Sequence, residues 1–306
     1  MDKIIIYVLL TKYEIILFNL MHKIELYGYG ESVASNMARV ALSEKNISYK
    51  YNLLYLESKG DHLSKKYKKL NPKNLVPTMI DNGNVIPDSI QIMRHINSTY
   101  ADGTDLFPEN INQDIFNNLL DFVKLDEKKE LGETLGTTAG GISATILVRL
   151  LCKRSLLSVI WDYSTKHSIK KRIPIFILLR ILGKPPEKLS KKMALALSKH
   201  LVYIEDILNH EKPFMMGDQY TAIDSCMTSI LHRINEMRFT NLLTNENLPN
   251  IAKYWKIIQA RPSYKEGILD YVTGEWELEI QSLYGNGSNK YEDLALSEIT
   301  RLLKEK

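Results

Sequence analysis

Apolar residues follow two periods along the chain, and the change between them falls near residue 100. Before it, short apolar or alternating runs interleave with segments whose apolar positions recur every three or four residues. After it, only the helical period remains. Lys23 to Tyr27 reads as a first strand and 48–56 (SYKYNLLYL) as a second, rich in aromatic and aliphatic residues. Between them a loop, Gly28 to Ser35, leads into a helix carrying Met37, Val40, Ala41 and Leu42, and Leu63 to Leu70 reads as a short helix with a lysine-rich outer face. Thr78-Met79-Ile80-Asp81 and Val85-Ile86 flank Asn82-Gly83-Asn84, the strongest local hairpin signal in the chain. Val76-Pro77, directly before the hairpin, is a candidate cis bond. Asp88-Ser89 caps an amphipathic helix over 88–100 with Ile90, Met93 and Ile96 on one side. Its N-terminus is read as leaving backbone N–H groups and a positive dipole end for an anion. The predicted order is β-α-β-α-β-β-α.

Residues 102–112 read as a linker containing Gly103 and Leu106-Phe107-Pro108. Ile115, Phe116, Leu119, Leu120, Phe122, Val123 and Leu131 predict one long helix, and Glu187 to Leu208 another, with Met193, Leu197, Leu201, Ile204 and Leu208 on its apolar face. In Gly217 to Asp224 (GDQYTAID), Thr221 and Asp224 are spaced as a capping box, so Asp224 is given a structural role and no chemistry. Residues 273–306 form a tail with GNGSNK and a helix, LALSEITRLLKEK, either docked or free.

Composition adds little and excludes several classes. A chain of 306 residues, 44% hydrophobic and 25% charged, suits two domains with real cores. A net charge of +4 is too small to argue for nucleic acid. The seven histidines form no zinc motif, no glycine-rich phosphate loop is present, and no metal is expected. Cys152 and Cys226 fit no paired spacing, which leaves a reduced, cytoplasmic compartment as the expectation. Residues 1–20 are apolar but interrupted by Lys12 and Glu14. A signal peptide without a small-residue cleavage site is one reading; the preferred one starts the protein at Met21.

The pattern NP…VP…DNG…DS..I over 71–92, followed by GD.YT..D at 217–224 and W…RPS at 255–263, resembles the glutathione transferase superfamily. The resemblance runs over roughly 21–272, most strongly in 24–101 and 213–264. It implies an α+β two-domain fold. A thioredoxin-like domain (21–101) is followed by an all-helical domain (113–272) carrying an insertion at 137–186. It implies that Val76 offers its backbone to the cysteinyl part of glutathione, with Pro77 in cis, and that Asp88 and Ser89 hold the γ-glutamyl end. LYGYGESVAS is similar to the zeta class and to the reductive dehalogenase of chlorinated hydroquinones, with Ser32 at the serine position and Ser35 at the later serine. Those families carry a cysteine where this chain has Ala34, which puts mixed-disulfide chemistry in doubt. Leu75 likewise lacks the polar side chain often found before the Val-Pro pair.

A free thiol ionises at about 8.5–9, and the thiolate is the nucleophile. A hydroxyl hydrogen bond and a helix N-terminus both favour the anion. Ser32 is therefore the catalytic candidate, with an N-cap role as its competing reading. Ser35 is grouped with the glutathione contacts; Tyr27 is read as packing and Tyr29 as a weaker hydroxyl donor or cleft wall. The implied function is conjugation of glutathione to a small hydrophobic electrophile, or displacement of a group on it, by a homodimer. The alternative is a non-catalytic binding protein of the same fold. The insertion holds two apolar, basic pieces, with Arg149, Lys153, Arg154, Lys170, Lys171, Arg172, Arg180 and Lys184, and neither piece is fit to span a bilayer. It is read first as a helical hairpin over the substrate cleft with solvated basic residues. The competing reading is a contact with a membrane surface or an anionic ligand.

Overall fold

The computed structural model describes residues 24–167, 170, 173–208 and 211–306. The extension 1–20, with its open readings, lies outside the described residues, as do Lys23 of the first strand and Lys171 and Arg172 of the insertion. Strand β1 (Ile24–Gly28) is parallel to β2 (Lys50–Leu53) and antiparallel to β3 (Thr78–Asp81), which pairs antiparallel with β4 (Asn84–Pro87). The sheet order is β2-β1-β3-β4. Asn82 and Gly83 both have positive φ (49° and 89°), the backbone that a two-residue hairpin turn demands. Helices α1 (Val33–Glu44) and α3 (Ser89–Thr99) pack together, burying Met37, Val40, Ala41 and Leu42 with Met93 and Ile96. The short α2 (Lys65–Leu70) buries Tyr67 and turns its lysines outward. This is the predicted thioredoxin-like domain. β2 is shorter than predicted because the chain turns away after Leu53. Asp61 Oδ2 accepts from Tyr55 N at 2.9 Å, and Gly60, at φ 77°, closes the turn.

The second domain is all helical, comprising α4 (Gln113–Val123), α5 (Leu135–Ile142), α6 (Ala144–Cys152), α7 (Leu156–Lys166), α8 (Ile173–Leu182), α9 (Glu187–Ile207), α10 (Ala222–Glu236), α11 (Pro249–Gln259), α12 (Pro262–Gly267), α13 (Glu275–Tyr284) and α14 (Glu292–Lys304). The long helix expected through Leu131 stops at Val123, and Leu131 is exposed. A turn at 124–134 lets α5 return against the end of α4. A side chain at Gly136 would meet the Lys124 carbonyl oxygen at 2.1 Å, so only glycine permits this approach. Helices α5 and α6 belong to the core, with Leu135, Ala139, Ile146 and Leu150 buried, although all but the first two residues of this pair lie inside the predicted insertion. The part of the insertion outside the main core is the hairpin α7–α8. It packs through Val159 and Tyr163 on Leu63 and Leu151.

The tail is docked. Trp276, Ile280, Ala295 and Ile299 are buried, and α14 lies along α9. Asp224 is structural, as predicted. It accepts from Thr221 N at 2.8 Å and Met215 N at 2.9 Å, and Tyr254 donates to it at 2.8 Å. Replacing it (Asp224→Ala) removes a cap worth about 1 kcal/mol and leaves buried donors unpaired at about 1–3 kcal/mol each. Urea unfolding of Asp224→Ala should therefore show a loss of about 3–5 kcal/mol. A loss below about 1 kcal/mol would mean the box does not hold α10 in place.

Candidate active site

Three chain segments converge at one end of the sheet because of its register. Tyr27 pairs with Thr78 and Thr78 with Pro87, so the turn after β1, the Val76-Pro77 bond before β3 and the start of α3 after β4 share that end. Val76-Pro77 is cis. Val76 is half-buried, and neither its N–H nor its C=O has a partner among the described residues. The Leu75 carbonyl is occupied, accepting from Tyr67 Oη at 2.6 Å and Asn71 Nδ2 at 2.9 Å.

Asp88 sits at φ 75° and ψ 135°, a backbone that L-residues adopt only at a cost of about 1–3 kcal/mol and that clusters at ligand sites. Its exposed carboxylate accepts from Ile90 N (2.9 Å) and Gln91 N (3.2 Å). The helix end thus carries its own anion, and part of the N–H array that the sequence leaves for a ligand is already used. Ser89 is buried, with Oγ 3.9 Å from Met37 Sδ.

Ser32 is the N-cap of α1 and is half-buried. Its Oγ accepts from Ser35 N at 3.3 Å, while its own proton goes to no acceptor among the described residues. Capping and donating to a thiolate are compatible, since the first uses a lone pair and the second the O–H. Ser35 is fully buried beneath this turn, its Oγ accepting from Tyr29 N at 3.4 Å and backing onto Gly28. Its bonds to Tyr29 N and Ser32 Oγ both lie within the turn, which gives Ser35 a role in shaping it. Ala34 is half-buried where the related families place a cysteine. Cys226 is buried, its thiol pushed up by desolvation, and Cys152 packs beside Arg180. Tyr27 is half-buried and donates to Glu25.

Residues that no motif marked hold this turn. Arg39, fully buried in α1, donates from Nε to Gly267 O (2.7 Å) and from its two amino groups to the Tyr29 and Gly30 carbonyls, Tyr51 Oη and Asn36 Oδ1. The tail lies against the same turn. Tyr29 Oη and Ser58 Oγ each donate to Glu275 Oε2 at 3.0 Å, and the Thr273 N–H and hydroxyl donate to Glu31. A side chain at Gly30 would meet the Tyr271 carbonyl at 2.2 Å. The Tyr29 phenol is buried and pushed up by desolvation and by Glu31 and Glu275, so it is engaged with the tail rather than free to act as a donor. Beneath the tail, buried Arg233 donates to the Glu31 carbonyl, stacks 3.7 Å over the Trp276 ring and lies 3.3 Å from Glu236 without hydrogen-bond geometry. Glu31, Glu57 and Glu236 each keep one buried oxygen without a hydrogen bond there. A sequence signal existed for the two arginines: each is a charge within a helix whose neighbours are apolar. None existed for Glu57 or Glu275. Depressions of about 670 and 470 Å³ lie around His200 on the helical domain, and neither is lined by the predicted site residues.

A thioredoxin-like domain presenting a cis-proline and two helix N-termini at one sheet end, followed by an all-helical domain, defines the glutathione transferase class. The chain belongs to that family: residues 32–99 match the glutathione S-transferase N-terminal domain and residues 180–266 the C-terminal domain. It is similar to glutathione S-transferase TCHQD of Arabidopsis thaliana, 22% identical over 82% of this chain and 91% of that one. It is also similar to glutathione S-transferase Z1 of the same plant, 36% identical over 83 residues, which are 26% of this chain. The matched stretch spans only about a third (36%) of the length of the Z1 protein. Among solved structures, the beta-etherase LigF of Sphingobium sp. strain SYK-6 superposes with a TM-score of 0.67 at 18% identity, covering 80% of this chain and 98% of that one.

The buried carboxylates make the fold pH-sensitive. Burial pushes Glu57 and Glu236 up to about 7, above the ordinary carboxylate value of 4.5. The folded state therefore holds protons that the unfolded chain releases between about 4.5 and 7, and stability falls as pH rises through that window. Thermal melts should show this decline, and Glu57→Gln should flatten it and raise the midpoint at pH above about 7. An unchanged profile in Glu57→Gln would mean that its carboxyl is solvated.

Proposed function

We propose that this chain is a cytoplasmic glutathione transferase, acting as a homodimer, that conjugates glutathione to a small hydrophobic electrophile or displaces a group on it. The carrying observation is the unpaired backbone of Val76 beside the cis-proline, at the sheet end where α1 and α3 begin. In this reading the Val76 N–H and C=O pair with the cysteinyl backbone, as a strand edge pairs with an extended peptide. Pro77 holds the bond before β3 in shape. The exposed Asp88 carboxylate takes the γ-glutamyl ammonium and Ser89 its carboxylate. Ser35 supports the turn from below.

Ser32 supplies the chemistry. Its free O–H points the reading toward a thiolate acceptor, and the α1 N-terminus adds a positive partial charge. Both stabilise S⁻ over S–H, and a lowered thiol pKa raises the fraction of nucleophile at neutral pH. The thiolate then attacks the electrophilic carbon and the leaving group departs with the electron pair. No protein thiol takes part.

A second reading, a non-catalytic glutathione-transferase-fold binding protein, is favoured by the tail. Thr273 and Glu275 are bonded to the β1–α1 turn and to Ser58, so the tail borders the turn that carries Ser32.

Titration with glutathione across pH, followed by thiolate absorbance in the ultraviolet, separates the two. We expect bound glutathione to ionise at least about one unit below its free value of about 8.5–9, and Ser32→Ala to reverse most of that shift at a stability loss of about 1 kcal/mol from the missing cap. Saturable binding without ionisation supports the second reading. No binding overturns both the catalytic and the glutathione-binding assignments.

A further inference from the structure

Helix α8 has the sequence IPIFILLRIL and buries none of its residues, which is the reverse of what so apolar a helix does in a folded core. Its outward residues Ile175, Leu178, Ile181 and Leu182 are 49–61% exposed. On the partner helix of the hairpin, Leu157 and Trp161 are 81% and 66% exposed. Single exposed apolar side chains are ordinary; six large ones on one hairpin mark a contact surface.

Charge says what the contact is. Residues 155–186 contain six basic residues and one acidic residue, an excess of five positive charges against +4 for the whole chain. The one acid, Asp162, is matched by ion pairs to Arg154 and to Lys166 at 2.5 Å. Lys170 and Lys184 stand just beyond the two ends of α8, exposed and without an ion pair among the described residues. An apolar stripe with an indole on the neighbouring helix and lysines at both ends is the pattern of a helix lying in a membrane interface.

We propose that the α7–α8 hairpin docks this protein on an anionic phospholipid surface, with α8 in the plane of the interface. The hairpin does not span the bilayer. Ten residues cover about half of the roughly 20 that a spanning helix needs. The bent pair α5–α6 is apolar enough by composition, but it is buried in the core and unavailable. A second copy of the chain is a poor occupant, because it would bring the same excess of positive charge to the same face. A soluble anion would leave the apolar stripe in water. Docking does not depend on the catalytic reading, since no residue of the α1 and α3 site takes part.

The test uses the full chain and vesicles of phosphatidylcholine alone or with about a third phosphatidylserine. The protein should sediment with the phosphatidylserine vesicles, and its tryptophan emission should shift to the blue. Trp255 and Trp276 are already buried, so that shift reports Trp161 and should vanish in Trp161→Phe. The Leu178→Glu/Ile181→Glu double variant should lower partitioning at least about tenfold. Lys170→Glu/Lys184→Glu should lower it at least about twentyfold, at roughly fivefold per charge, and added salt should weaken it. Both variants should bind glutathione as the parent does, which keeps a failure here distinct from a failure of the site. Absence of vesicle binding overturns the proposal. So does equal binding to both compositions, or an effect of the apolar variants confined to self-association in sedimentation velocity.

Discussion

The guanidinium of Arg39 joins three pieces of chain that have little else in common. It lies inside the molecule with no carboxylate hydrogen-bonded to it among the described residues, and its bonds run to three backbone carbonyls, a phenol and an amide. The faces of Tyr271 and Tyr51 lie 4.5 and 5.2 Å from its centre. Burying a cation is tolerable only when its donors are matched, and here the matching groups are the turn after β1 and the end of α12. The position of Ser32 follows from this. The turn that carries it is held from below by a helix of its own domain and from the side by a carbonyl of the other. A second tie between the halves, from Arg261 and Ser263 to Glu44 at the end of α1, keeps the same helix from sliding.

Much of the fold was legible because local rules and tertiary needs agree. The Asn82-Gly83 turn, the Asp88 cap and the Thr221–Asp224 box each use a residue type that fits one backbone geometry, and each is found where the sequence puts it. The cis bond at Val76-Pro77 was readable for the same reason. Misreadings occur where a tertiary contact decides. Leu131 has a helical spacing but lies in a turn forced by the return of α5 against Lys124. β2 ends early because Asp61 captures the Tyr55 N–H. For the site, the residues at the sheet end were readable by type, while the tail that borders them was not. Glu275 meets Tyr29 across 246 positions, and nothing in either neighbourhood announces the pair.

The electrostatics of the molecule are divided. The face under the tail gathers Glu31, Glu57, Glu236 and Glu275 around one arginine, while the α7–α8 side is basic. Glu279 meets Arg149 at 2.6 Å and Lys153 at 3.0 Å, at the C-terminal end of α6. Helix α13 is therefore a strap between an acidic interior and a basic exterior. Helix α13 thereby links α6 to the β1–α1 turn, through Glu279 at one end and Glu275 at the other.

The docking of α14 also sets a schedule. Ala295 and Ile299 seal the apolar seam of α9, and Ser198 donates to the Ala295 carbonyl at 2.9 Å. During synthesis the thioredoxin-like half has all its strands and helices once residue 99 has emerged. The helical half keeps an open, sticky groove along α9 until residues 292–304 arrive. The two halves of the molecule therefore complete their cores at different points of synthesis, and the interval between them leaves apolar surface on α9 exposed.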